Sequence, residues 1–255
     1  MLLGPLNLLP PQSSILNPQF YLLMYNVFAK HYSRVFPLNS ALTGLVKEEL
    51  KPGGGLLDLG CGTGELDNVL LAEGYECLGI DTDEAMTRYA GKKGHPDRFK
   101  IMRIQDIGSI QTSFDLVIST GNVMSHLAPD ALANSIKDIA GLLGPGGKWI
   151  YQIVNWNRYF QQGYEFPVLE REEGRLKFYR EYNGTDEQVA FSIRLEEEGR
   201  IIHQGTSILY PLAIEKHKQI NESAGFTCRA RYRNWNRESF EVETDDSVIL
   251  VFEKK

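Results

Sequence analysis

Cysteine is scarce in this chain of 255 residues: three are present, Cys61, Cys77 and Cys228, and no two form a C-x-x-C pair. Such spacing cannot supply a disulfide framework and points to a reducing, cytoplasmic setting. Also missing is any apolar run of about 18 residues, so no stretch reads as a membrane-spanning helix. Basic tracts go no further than "GKK" and the final "EKK", and the formal net charge is -6. That balance gives no long-range attraction to nucleic acid or an anionic membrane, and neither is expected as a partner. His31, His95, His203 and His217 lack metal-ligand spacing, so no metal is expected. No G-x-S-x-G elbow supports a serine hydrolase. The opening "MLLGPLNLLPPQSSIL" has no basic start and is broken by Pro5, Pro10 and Pro11; it reads as a loose arm, not a secretory signal.

A hydrophobic share of 42 % beside a charged share of 24 % is that of an ordinary globular protein, long enough for one large domain with an appendage. From Gln19 to Phe36, Tyr21, Tyr25, Phe28 and Tyr32 recur at helical spacing, and a second helix is predicted over Ser40–Leu50. Strands and helices then alternate. "GLLDLG", "ECLGID", "FKIMRIQD", "FDLVIST" and "KWIYQIV" read as strands. "ELDNVLLAEG", "TDEAMTRYAGKKG" (capped by Thr82 or Asp83) and "PDALANSIKDIAGLL" read as helices. Such alternation implies a parallel sheet covered on both faces. Between Trp156 and Leu209, strand-like pieces separated by "NGTD" and "EGR" imply an antiparallel insertion. The helix "PLAIEKHKQINESAG" and strands "FTCRARYRNW" and "DDSVILVFEKK" then return to the sheet.

Ligands of such sheets bind beyond the carboxyl ends of the strands. The turn after the first strand, "DLGCGTGE", holds glycines at 60, 62 and 64. A dinucleotide fingerprint would place its third glycine where Glu65 stands, and a carboxylate there would face a pyrophosphate. Gly-Lys-Ser/Thr is also missing, so phosphate is the wrong ligand.

The spacing Asp58-x-Gly60-Cys61-Gly62-x-Gly64 resembles the first motif of the class I S-adenosylmethionine-dependent methyltransferases, whose donor carries a sulfonium cation and an amino-acid head. Asp81, at the end of the second strand, is placed to accept from ribose hydroxyls. The resemblance further implies that Asp106 accepts from the adenine amino group, that Thr82, Met86 and Ile107 touch the ring faces, and that Cys61 need only be small. "YNVFAKHY" resembles the lid segment of small-molecule methyltransferases, with Tyr25 and Tyr32 at the positions that reach the methionyl group and Asn26 replacing the usual acid.

"FDLVISTGNVMSHLAPDAL" resembles the corresponding region of glycine-type and aminosugar N-methyltransferases. By that resemblance Thr120, Gly121 and Asn122 lie near the donor and His126 faces the acceptor as a candidate general base. Insertions of this kind roof the acceptor in those families. Asn155, Trp156, Asn157 and Tyr159 leave the fifth strand at the ligand edge, and Tyr179 and Arg180 point to opposite faces of the insertion, either of which can look inward.

The expected architecture is a doubly wound, seven-stranded, mostly parallel Rossmann-like methyltransferase fold with its last strand antiparallel. Residues 1–50 form an arm and helical lid, 51–155 and 210–255 the cofactor-binding core, and 156–209 the antiparallel insertion. The expected function is S-adenosylmethionine-dependent methyl transfer to a small-molecule acceptor, on nitrogen. An O-methyltransferase and a non-catalytic S-adenosylmethionine-binding protein are the alternatives.

Overall fold

The computed structural model describes residues 28–162 and 166–255; Tyr21 and Tyr25 lie outside them. A first helix, α1, is described over 28–35, followed by α2 (Ser40–Glu49), where Asn39 Oδ1 accepts from the Ala41 N–H at 2.8 Å as the cap. The chain then alternates through β1 (Gly55–Leu59), α3 (Glu65–Ala72), β2 (Glu76–Asp81), α4 (Glu84–Gly91), β3 (Phe99–Ile101), β4 (Phe114–Ser119), α5 (Pro129–Leu142) and β5 (Leu143–Val154). After α6 (Trp156–Gln162) comes an antiparallel sheet of β6 (Leu169–Arg171), β7 (Leu176–Gly184), β8 (Val189–Glu197) and β9 (Arg200–Leu209), in that order. Helix α7 (Ile214–Ser223) and strands β10 (Phe226–Tyr232) and β11 (Ser247–Lys254) complete the described chain.

The main sheet has seven strands in the order β10-β11-β5-β4-β1-β2-β3. Strand β11 runs antiparallel to both β5 and β10, while β1 is parallel to β2 and β4. The near-continuous apolar strands are explained by cover on both faces, because alternate residues sort to opposite sides. Leu57, Leu59, Val117 and Trp149 pack under α5 and α7, against Ile136, Ile139 and Ile214. Leu56, Leu116, Ile118 and Ile150 pack under α2 and α3, against Leu45, Val46, Leu66 and Leu70.

Two elements depart from the sequence reading. Strand β3 ends at Ile101, and Asp106 and Ile107 lie on the following 3-10 turn, Ile104–Ser109. The reason is a period of three: Ile104 and Ile107 are both buried, which a strand's alternation could not achieve. "NWNRYFQQ" does not trail off the fifth strand but forms α6, whose aromatic residues Trp156, Tyr159 and Phe160 follow helical spacing.

The insertion sheet has an inner and an outer face. Leu176 and Phe178 of β7 and Leu195 of β8 pack with Phe28, Ala29 and Val35 of α1 and with Ala85 and Met86 of α4. Val189 and Leu209, at the other end of the same face, pack with Val154 and Trp156. Ion pairs reinforce the first contact: Arg34 donates to both oxygens of Glu172 at 2.7 and 2.8 Å and to Glu197 at 2.8 Å. Arg171 adds a bond to the Val35 carbonyl at 3.1 Å.

Candidate functional site

The glycine turn lies between the end of β1 and the start of α3. Gly60, Gly62 and Gly64 all have positive φ, at 81°, 55° and 64°. At Gly62 the requirement is double, because an added Cβ would also stand 3.3 Å from the Tyr32 ring. Tyr32 of α1 therefore lies directly over the loop, which brings α1 and the glycine motif together. Burial raises its phenol well above the ordinary value, and the negative field of Asp81 and Asp58 adds to the shift.

Loop geometry is held from the neighbouring strand. The Ile80 carbonyl accepts from the Gly60 and Cys61 N–H groups at 2.8 and 3.0 Å. Asp81 Oδ2 accepts from the Gly62 N–H and Oδ1 from the Asp83 N–H, both at 2.9 Å. Asp81 is thus first a brace of the turn; each oxygen retains a second lone pair for a ligand. Desolvation raises its pKa, opposed by these backbone bonds. Asp83 caps α4, its Oδ1 accepting from the Ala85 and Met86 N–H groups. Thr82 is exposed beside Asp81.

Beneath the loop is a feature the sequence reading missed. Asp58 is 4 % exposed and Asp67 of α3 fully buried, and the charge of Asp67 adds to the rise that burial imposes on Asp58. Burial comes first among the causes that raise both, and Asp67 is pushed up to about 6. Asp58 Oδ1 and both Asp67 oxygens lack a hydrogen-bond partner. The signal was there: Asp67 falls three residues before Leu70 on the buried stripe of α3. Lys93 was missed as well, and it reaches the Thr63 carbonyl at 3.1 Å and the Glu65 carboxylate.

Around this turn the acceptor-rich chemistry fits a cationic ligand. Left-handed glycines leave bare backbone, an orphaned carboxyl oxygen is buried below, and Asp81 stands at the adjacent strand end. These residues suit S-adenosylmethionine, which is positively charged at sulfur and at its amino group. Cys61 is buried with its thiol pushed up by burial, so it is no nucleophile.

Other expected residues sort into exposed, buried and structural. Asp106 is exposed and paired with Arg103 at 2.9 and 3.0 Å, which holds its carboxyl below the usual range. Ile107 has no exposed surface and belongs to the core, and Met86 is buried against the lid helix. Asn122, at φ 67°, accepts from Ser125 Oγ at 2.7 Å and the Val154 N–H at 2.9 Å, which pins the turn after β4. Thr120 is half-buried, and the exposed Gly121 donates its N–H to Gln152 at 3.3 Å.

His126 ends the 3-10 turn Val123–His126 with part of its surface exposed. Desolvation holds its pKa below the ordinary value, so the ring is neutral at physiological pH and able to accept a proton. Asn155 and Trp156 are 1 % and 2 % exposed. The Asn155 amide donates to the Val242 and Asp245 carbonyls, and Trp156 Nε1 donates to Ser125 Oγ at 3.3 Å. Both are framework in this structure. Tyr159 donates to the Tyr182 carbonyl at 2.7 Å, and Asn157 accepts from the Ile214 N–H at 3.4 Å.

The two faces of the insertion are also resolved. Tyr179 points outward, donating to Glu196 at 3.1 Å with the Arg194 guanidinium 4.1 Å over its ring. Arg180 shares the inward face with Phe178 and Tyr182, its guanidinium 5.0 Å from the Phe166 ring centroid.

Comparison with known proteins agrees with this geometry. A putative methyltransferase of Bacillus subtilis, YqeM, is 24 % identical over 149 residues, 57 % of this chain and 60 % of that protein. Human glycine N-methyltransferase is 27 % identical over 128 residues, 42 % of this chain and 43 % of that one. The chain therefore spans less than two thirds of the length of these curated relatives. Among solved structures, an S-adenosylmethionine-dependent methyltransferase of Clostridium acetobutylicum superposes with a TM-score of 0.74 at 17 % identity, covering 90 % of this chain and 98 % of that one. At that identity the likeness is one of fold. Residues 56–147 match the family model of the methyltransferase domain. Through that segment the chain carries a methyltransferase domain, and its fold is that of the S-adenosylmethionine-dependent methyltransferases.

Proposed function

We infer that the protein transfers a methyl group from S-adenosylmethionine to a small-molecule acceptor, with nitrogen as the receiving atom. The observation that carries this reading is the glycine turn itself: left-handed at Gly60, Gly62 and Gly64, acidic at Asp58 and Asp81, and covered by Tyr32. When bound there, S-adenosylmethionine supplies a methyl group on a sulfonium, a leaving group that needs no further activation.

The chain's share is then orientation and exclusion of water. Backbone at the glycine turn admits the methionyl portion closely, and Asp81 orients the ribose. Tyr32, half-buried and with its phenol pKa raised, offers a hydroxyl from the lid side. Thr120 and His126 border the space in front of the donor, and the insertion sheet, fastened to α1 by Arg34 and to α6 by Tyr159, roofs it. A roofed site of this kind suits a small acceptor better than a polymer. The similarity to glycine N-methyltransferase supports nitrogen. A hydroxyl acceptor is the second reading, favoured by the neutral, partly exposed His126, which could take its proton.

Free Cys61, Cys77 and Cys228 support a reducing cytoplasmic setting, and among the described residues no helix is long and apolar enough to cross a membrane. The test is incubation with methyl-labelled S-adenosylmethionine and fractionated metabolites, with products identified by mass. A labelled amine is expected. Stoichiometric binding with no labelled product in any fraction would leave a sensor or scaffold instead.

A further inference from the structure

The glycine turn is gripped by two sets of partners. Its N–H groups at 60, 61 and 62 are held from the end of β2, by the Ile80 carbonyl and by Asp81. Its carbonyls at 63 and 64 are held by side chains. Lys93, two residues beyond the end of α4, donates its ammonium to the Thr63 carbonyl at 3.1 Å. The Asn68 amide donates to the Gly64 carbonyl at 2.7 Å and to the Ala90 carbonyl of α4 at 3.2 Å. Packing follows the same line: a Cβ at Gly64 would fall 2.6 Å from the Phe99 ring and 2.8 Å from Ala90 Cβ. The ends of α4 and β3 thus touch the turn directly.

Helix electrostatics alone would not put a lysine here. Glu65 opens α3, and the amino end of a helix favours anions over an ammonium. Glu65 compensates, since its carboxylate pairs with Lys93 and accepts from the hydroxyl of the fully buried Thr63 at 3.3 Å. Lys93, Glu65 and Thr63 therefore form a closed set at the start of α3.

A peptide unit is planar, so a fixed Thr63 carbonyl also fixes the Gly64 N–H on the same plane. That N–H donates to the Cys61 carbonyl at 2.9 Å and closes the turn. Glycines lose more backbone freedom than other residues when they are ordered. A clamp on the turn in the free protein spares the ligand that cost at binding.

We propose that Lys93 is a positioning residue for S-adenosylmethionine: by holding the Thr63 carbonyl and the Glu65 carboxylate, it keeps the glycine turn in its binding shape before the ligand arrives. This rests on the cofactor reading of the turn and adds a residue that lies outside its motif. Lys93 acts through the backbone of residues 61–64.

Two measurements test it on the parent, K93M, K93R and K47M: titration calorimetry with S-adenosylhomocysteine, and hydrogen exchange of the ligand-free protein. Methionine keeps an unbranched apolar stem at 93 and removes the charge. K47M is the control, because it deletes a pair of the same kind, Lys47 with Glu73 at the other end of α3, and such partly exposed pairs weigh little in stability. K93M should weaken S-adenosylhomocysteine binding about tenfold and speed exchange of the Gly64 amide about tenfold without ligand. K93R should recover most of both, and K47M should change neither. Unchanged affinity in K93M overturns the proposal. So does an equal loss in K47M, a loss that K93R does not recover, or a loss with Gly64 exchanging as in the parent. A parent that binds no S-adenosylhomocysteine removes the cofactor reading and this inference with it; a parent that binds, beside an unaffected K93M, removes the inference alone.

Discussion

Gly62 ties three features into one: a left-handed backbone at φ 55°, an N–H held by Asp81, and a missing Cβ that lets Tyr32 approach. Gly62→Ala would have to adopt a conformation that costs an L-residue about 1–2 kcal/mol and would push Tyr32 off the loop. We expect S-adenosylhomocysteine affinity to fall at least about tenfold by calorimetry, which corresponds to about 1.4 kcal/mol of binding free energy. The Asp58–Asp67 pair yields a prediction of a different kind. Both acids are raised by burial, so their contribution to stability is full below their unfolded value and is lost as pH rises through the folded one, about 6 for Asp67. Thermal midpoints of the parent should therefore fall between about pH 4 and pH 6 more steeply than those of Asp67→Asn, whose amide does not titrate. Parallel slopes would mean that burial does not raise Asp67. His126 supplies the third: as a base it must be neutral, and its pKa is lowered by desolvation. His126→Ala should therefore cut the rate with a hydroxyl acceptor about 10²-fold or more and abolish the acid limb of the kcat/KM profile below pH 6.5, while an amine acceptor's rate changes little.

Elements were legible in proportion to how local their cause is. Strands β1, β2 and β4 lie where apolar runs end at the glycine turn, Asp81 and Thr120, and Asp83 caps α4 as its position before "EAM" implies. Less local causes were harder to see. The brief β6 forms only because β7 offers Leu176 and Phe178 as partners to Arg171 and Leu169, and three residues carry little periodicity of their own. Which face of β7 turns inward was likewise undecided by alternation alone; it is fixed by α1, whose Phe28, Ala29 and Val35 give Leu176 and Phe178 an apolar surface. That contact makes α1 and the insertion one unit. Removing Phe28, 8 % exposed, by Phe28→Ala should cost about 3–5 kcal/mol of local packing. Because α1 touches the core mainly through this face, the loss should appear as faster proteolysis within 28–36 and weaker S-adenosylhomocysteine binding, with β1–β5 retaining their hydrogen-exchange protection.

At the scale of the whole molecule, the main sheet carries the glycine turn at its edge, and α1 and the insertion sheet pack on each other beside it. Donor-side residues were readable because a cation beside a close backbone demands particular types, glycine and aspartate, at fixed distances along the chain. The rows of the insertion sheet were not, since Arg180, Ile193 and Gly205 meet only through the register of three strands. The same logic explains why Asn155 and Trp156, although at the end of β5, serve the framework: the chain coils into α6 and turns them inward, where carbonyls of residues 242 and 245 and the Ser125 hydroxyl consume their polar atoms. All of this stands on the ligand of the glycine turn. Titration calorimetry of the purified protein with S-adenosylmethionine, S-adenosylhomocysteine and a nicotinamide dinucleotide is the most direct test. Saturable one-to-one heat is expected with the two sulfur nucleosides and none with the dinucleotide. Silence with both sulfur nucleosides, or tight binding of the dinucleotide alone, would contradict the account.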